Sequence, residues 1–229
     1  MSAQSNPQPF TDVSADPFVR GFLHRPAHPN GDALVLTHGA GSNCQAPLLI
    51  ALAETFAGAG FTVLRCDLPF RQDRSFGPPG PGEAKSDRAG LKNAIAALKH
   101  IARGRVFLGG HSYGGRQASM LCAERSEIAS EEAAAGLLLF SYPLHPPKKP
   151  EQLRTQHFFH LQTPALFVHG VSDPFGSIDE MRQALKIIPA KTKLLPVEGA
   201  GHDLGFKGKA KRQDLPANVL QEFKEFFAV

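Results

Sequence analysis

Short apolar runs alternate with longer amphipathic ones along the chain, and this alternation predicts a parallel sheet flanked by helices. The runs Ala33–Thr37, Phe61–Cys66, Arg105–Gly109, Gly136–Ser141, Ala165–His169 and Lys193–Val197 carry Val, Leu and Phe on both alternating faces. A strand covered by helices on both sides needs that pattern, since neither face meets water. A further strand at Phe18–His24 is expected at the sheet edge, giving about seven strands. Ala46–Ala57 places Leu48, Leu49, Leu52 and Phe56 at helical spacing, and Asp87–Ala102 does the same with Leu91, Ile95, Leu98 and Ile101. Helices are also predicted at Ser112–Arg125, at Ser177–Ile187, which Pro189 follows, and at Ala217–Phe227.

Two stretches read as loops. Pro69–Ser86, with Gly77-Pro78-Pro79-Gly80-Pro81-Gly82 inside it, is predicted to be irregular and exposed, and Pro143–Pro150 is the second. The strand–helix alternation continues through both, so residues 1–229 are read as one domain, with residues 1–16 a flexible, polar, Pro-rich lead-in.

Composition narrows the class. Hydrophobic residues make up 42% and charged residues 20% of the 229, which suits an ordinary globular chain with one core. No apolar run approaches membrane-spanning length, and the N-terminal residues lack the basic start and apolar stretch of a secretory signal. Cys44, Cys66 and Cys122 are widely spaced with no CxxC pair, which disfavours disulfide scaffolding and structural zinc and points to a reducing, cytoplasmic setting. The formal charge of +4 does not argue for nucleic acid, because the basic residues are spread out. Their one local cluster, Lys207, Lys209, Lys211 and Arg212, reads as a solvated loop.

The chemistry concentrates where predicted strands end. Gly110-His111-Ser112-Tyr113-Gly114 follows one strand and opens a helix. A GxSxG pattern is weak alone but specific in that context, because a nucleophile on a sharp strand-to-helix turn needs small residues two positions to either side. A neutral serine hydroxyl also needs a base, and the base needs an orienting acid. Asp173 lies just beyond the strand Ala165–His169, and His202 lies in Glu198-Gly199-Ala200-Gly201-His202, just beyond the last strand. Ser112, Asp173 and His202 therefore share the sheet edge where open α/β sheets place their ligand sites. Asp179, inside a helix start, and Asp203, adjacent to His202, are the weaker candidate acids. His111 is expected to turn into the fold beside the elbow, and His38 and His169 to make buried hydrogen bonds. His157 and His160, three apart with no third ligand in view, read as part of an ordinary helix rather than a metal site. An oxyanion needs preorganised N–H donors; Thr37-His38-Gly39-Ala40-Gly41-Ser42 ends the first parallel strand, so the N–H groups of Ala40 and Tyr113 are expected to supply them.

HGAGS, GGHSYGG and VHGVSDP…GAGH together resemble the α/β-hydrolase superfamily from about Gly31 onward. Leu34–Ser42, Gly136–His145 and Arg65-Cys66-Asp67-Leu68-Pro69-Phe70 further resemble the testis-expressed and NSL-complex-subunit branch of hydrolases, distantly similar to dienelactone hydrolases. That resemblance implies a mostly parallel twisted sheet, helices on both faces and the Ser112–Asp173–His202 triad. It also implies that relatives serve as complex subunits. Ser112 stands where dienelactone hydrolases carry cysteine, which speaks against a lactonase.

Tyr142–Phe159 is too short for a helical lid, so an open cleft and small acyl substrates are expected. Substrate contacts are expected from Gly39, Gly41, Arg71 and Tyr142. For Arg65, Arg71 and Arg74, salt bridges to Asp67, Asp73 or solvent outweigh pairing with a substrate carboxylate. Arg116 is expected to anchor the elbow to a carboxylate, and Cys44 to be a packed thiol. The reading is a serine esterase with no cofactor or metal, whose partner is a small acyl substrate. The alternatives are a non-catalytic interaction module and a hydrolase of a thioester, amide or C–C bond.

Overall fold

A computed structural model of the protein describes residues 7–124, 134–207 and 212–229. Its strands are β1 (Gln8–Asp12), β2 (Val19–His24), β3 (Ala33–Thr37), β4 (Thr62–Cys66), β5 (Val106–His111), β6 (Leu137–Phe140), β7 (Ala165–Gly170) and β8 (Thr192–Val197). They form one eight-stranded sheet in the order β1-β2-β4-β3-β5-β6-β7-β8. β3 through β8 pair in parallel, while β1–β2 and β2–β4 are antiparallel. The helices are α1 (Pro47–Gly58), α2 (Pro69–Asp73), α3 (Glu83–Lys99), α4 (Tyr113–Ala123), α5 (Ile178–Leu185) and α6 (Leu215–Phe227).

Alternate residues of each central strand enter opposite cores, which is why those strands read as continuously apolar. Leu34, Leu36, Phe107, Leu138 and Val168 pack with α1 and α6, where Phe56, Phe61, Phe107 and Phe223 meet edge to face. Val35, Leu64, Leu108, Leu139 and Phe167 pack on the other face with Leu91, Ile95 and Leu98 of α3, Ala118 of α4 and Met181 of α5.

Four expectations need correction. Phe18–His24 is not the edge: β2 is the second strand, and β1, formed by residues expected in the flexible lead-in, lies outside it. β1 is mostly exposed and so carries no apolar signal. Pro69–Ser86 is not wholly irregular, since Pro69 pre-sets the first turn of α2 and Phe70 and Arg71 are buried there. Helix α3 also begins at Glu83, four residues before the predicted start. His157 and His160 lie at and beside a single 3-10 turn, Phe158–His160, rather than in an α-helix. That turn is the only helical element between β6 and β7, so no cap is built there. Arg125, Lys209 and Lys211 lie outside the described residues. Among those described, no helix is long and apolar enough to cross a membrane.

Candidate active site

Ser112 sits between the last residue of β5 and the first of α4, with φ 52° and ψ −115°. That conformation costs a non-glycine residue on the order of 1–3 kcal/mol, so the surroundings must hold it. Its N–H donates to Phe140 O (2.8 Å) in β6, and its carbonyl accepts from Arg116 N (3.0 Å). The flanking glycines are required by close backbone contact: a Cβ on Gly114 would lie 2.5 Å from His38 O, and one on Gly110 would lie 2.6 Å from Gly114 C.

The loops after β7 and β8 bring the other two residues to the serine. Ser172 N donates to Ala200 O (2.9 Å), and Gly170 lies so close to Gly201 O that a Cβ would meet it at 2.3 Å. Asp173, its side chain fully buried, accepts from His202 Nδ1 at 2.8 Å (Oδ2) and 3.0 Å (Oδ1), and Oδ1 also accepts from Phe175 N (2.9 Å). Because Nδ1–H donates to the carboxylate, Nε2 is left as the acceptor, 2.8 Å from Ser112 Oγ. The Phe175 ring lies over the imidazole, centroids 4.2 Å apart. His111 turns inward beside the elbow and donates from Nε2 to His202 O (2.8 Å), and burial pushes its pKa down to about 4. The competing acids are engaged elsewhere. Asp179 pairs with Arg182 at the surface, and Asp203 accepts from Gly205 N and Lys207 N. A serine hydroxyl facing an imidazole held by a buried carboxylate has the geometry that makes its oxygen nucleophilic.

The loop after β3 is clasped by the segment Arg65–Arg71. Arg71 donates to Ala40 O (2.9 Å), Ser42 O (2.8 Å), Gly77 O (2.7 Å) and Arg74 O (3.2 Å). Arg65 donates to Cys44 O (2.5 Å), Asp67 accepts from Cys44 N (2.8 Å), and His38 Nε2 accepts from Leu68 N (3.1 Å) while Nδ1 donates to Gly39 O (2.9 Å). Held this way, the N–H groups of Ala40 and Tyr113 have no acceptor among the described residues. The Tyr113 hydroxyl donates to Asp87 Oδ2 (2.7 Å), whose Oδ1 accepts from Phe70 N (3.2 Å). Burial raises the pKa values of both Asp87 and Tyr113.

Of the expected substrate contacts, Gly39 lies against Ser112, where a Cβ would come within 3.4 Å of Ser112 Cβ, and Gly41 faces open space. Arg71 and Tyr142 are placed otherwise. Arg71 is buried and makes four hydrogen bonds to backbone carbonyls, and it forms no salt bridge among the described residues. Tyr142 is a core residue, packed on Phe158 and Phe167, with its hydroxyl donating to Arg154 O (2.7 Å). Arg65 is also buried, with Nε donating to His24 Nε2 (2.9 Å), and Arg74 pairs with Glu83 rather than Asp73. Arg116 has no carboxylate partner among the described residues. Cys44 is packed, its thiol pushed up to about 12 by burial. His38 makes the buried hydrogen bonds expected of it. Asp87 and Phe175 were not legible as site residues, because their partners, Tyr113 and Phe70 for one and His202 for the other, are distant in sequence. Among the described residues, no three His, Cys, Asp or Glu side chains converge as a metal site would need.

A model of the alpha/beta hydrolase domain matches residues 30–228. The chain belongs to the alpha/beta hydrolase family. It is 26% identical, over an alignment of 250 positions, to a putative carboxymethylenebutenolidase of Escherichia coli strain K12, covering 92% of this chain and 89% of the other. Among solved structures, the dienelactone hydrolase of Anabaena variabilis matches with TM-score 0.71 and 21% identity, covering 99% of this chain and 98% of that one. XC6422 from Xanthomonas campestris, described as an a/b serine hydrolase without lid, matches with TM-score 0.72 and 13% identity, covering 96% and 95%.

Proposed function

We propose that the protein cleaves a small carboxylic ester through an acyl-enzyme formed on Ser112. The relay Asp173–His202–Ser112, closed by hydrogen bonds of 2.8 Å at both imidazole nitrogens, carries this reading. His202 takes the Ser112 proton as Oγ attacks the acyl carbon, then gives it to the departing alcohol; water, deprotonated by the same ring, releases the acid. Asp173 holds the tautomer and stabilises the imidazolium. The Ala40 and Tyr113 N–H groups hydrogen-bond the oxyanion, aided by the N-terminal end of α4. The absence of a cap between β6 and β7 supports an open cleft without interfacial activation. Similarity over most of the chain to proteins named putative carboxymethylenebutenolidases favours, as a second reading, a cyclic ester on the same serine.

The direct test is labelling with a fluorophosphonate probe, together with hydrolysis of short p-nitrophenyl esters, using Ser112→Ala as control. Ser112-dependent labelling and turnover are expected. An inert Ser112 and a stoichiometric protein partner would instead support the interaction module that the NSL-complex-subunit resemblance implies.

A further inference from the structure

A pocket of about 130 Å³ opens beside the elbow, between the oxyanion loop, the start of α1 and the loop that follows His202. Its inner end is Gly39 and His111, and Gly39 in turn lies against the Ser112 side chain. Ala46, Pro47, Leu48, Leu49 and Phe206 give it carbon walls. Three of its polar side chains are already committed, and Ser42 is the hydroxyl-bearing residue on the lining. His38 uses both ring nitrogens on backbone partners, and the Asp203 carboxylate accepts from two N–H groups of its own loop. His111 gives its Nε2–H to His202 O, and burial keeps its ring neutral near pH 7. An ionised chain terminus would find little to pair with inside; Lys207, exposed, is the one cation on the lining.

Resting on the esterase reading, we infer that this pocket holds one short apolar chain of the substrate and limits it to about four carbons. The size follows from the volume, since about 130 Å³ lies well below the room of a pocket for a larger ligand and suits a chain of a few carbons. The chain class follows from the walls, and the adjacency to Ser112 through Gly39 makes the occupant part of the ester being cleaved. Either the acyl or the alkoxy chain meets this description, so the test varies each separately.

Turnover of p-nitrophenyl acetate, butyrate, hexanoate and octanoate varies the acyl chain, and methyl, butyl and octyl acetate followed by pH-stat vary the alkoxy chain. In the series that uses the pocket, kcat/KM is expected to rise roughly fourfold per added methylene up to about four carbons. It should then fall at least about tenfold by eight. Two variants act in opposite directions. Phe206→Ala should move the break to longer chains, and Ala46→Leu should penalise the four-carbon ester more than the two-carbon one. A Ser112-dependent profile that is flat or keeps rising in both series overturns the inference. So does a break that neither variant moves. Absence of Ser112-dependent turnover on every ester overturns the esterase reading instead, and the Ser112→Ala control separates the two failures.

Discussion

The Arg71 guanidinium donates to the carbonyl of Ala40, the residue proposed to supply one oxyanion N–H, at 2.9 Å. The same side chain holds Ser42 O, so it fixes the curvature of the whole loop from beneath.

Arg71→Lys should therefore lower kcat by about 10- to 100-fold and leave KM within about threefold, the pattern of a contact that matters in the transition state. One ammonium does not reproduce a fork that spans four carbonyls. Steady-state kinetics on folded protein check this, and a KM effect with kcat intact would contradict it.

Asp173→Asn should lower kcat about 10³- to 10⁴-fold with the fold retained, because an amide does not hold His202 in the tautomer that leaves Nε2 free. A pH–rate profile with circular dichroism is the measurement.

Gly114→Ala should destabilise the protein by about 2 kcal/mol or more, since the added methyl meets the backbone oxygen His38 O at 2.5 Å and the Thr37 methyl at 2.7 Å. Urea melts give the loss, and fluorophosphonate labelling should fall with it.

Stability should decline on acidification between pH 6.5 and 4. Burial pushes His24, His111 and His157 each down to about 4. In that window the unfolded chain binds protons at these rings and the native protein does not, so folding is favoured above 6.5 and weakened as pH falls. Each ring contributes at most about 1.4 kcal/mol per pH unit. His157→Asn, which also removes the hydrogen bond from His157 Nε2 to Ser119 Oγ (2.8 Å), should reduce the slope by up to about 1.4 kcal/mol per pH unit in urea titrations at pH 7 and 5.

β3 to β7 were legible within one or two residues because both faces of each are buried and the apolar signal is strong, and half-buried β8 was legible through Leu194, Leu195 and Val197. Ser112, Asp173 and His202 were legible because each follows a strand and their order is informative, although Ser112 and His202 are 90 residues apart. β1 was not, since an exposed strand has no apolar pattern. The work of Arg71 was hidden for another reason: its partners are carbonyls, which every residue carries and no residue type marks. Tyr142 was misplaced because its neighbourhood at a strand end suggested the cleft, whereas Phe158 and Phe167 draw its ring into the core.

The two outer strands of the sheet each carry a proline, Pro9 in β1 and Pro196 in β8. Proline has no N–H and is tolerated in sheets at their margins. Neither margin therefore presents an unbroken row of donors to a neighbouring chain, and Lys193, paired with Glu222, adds charge to the β8 side. Growth of one molecule's sheet into the next is interrupted at both ends, which leaves the parallel interior, rich in Val, Leu and Phe, protected from runaway polymerisation.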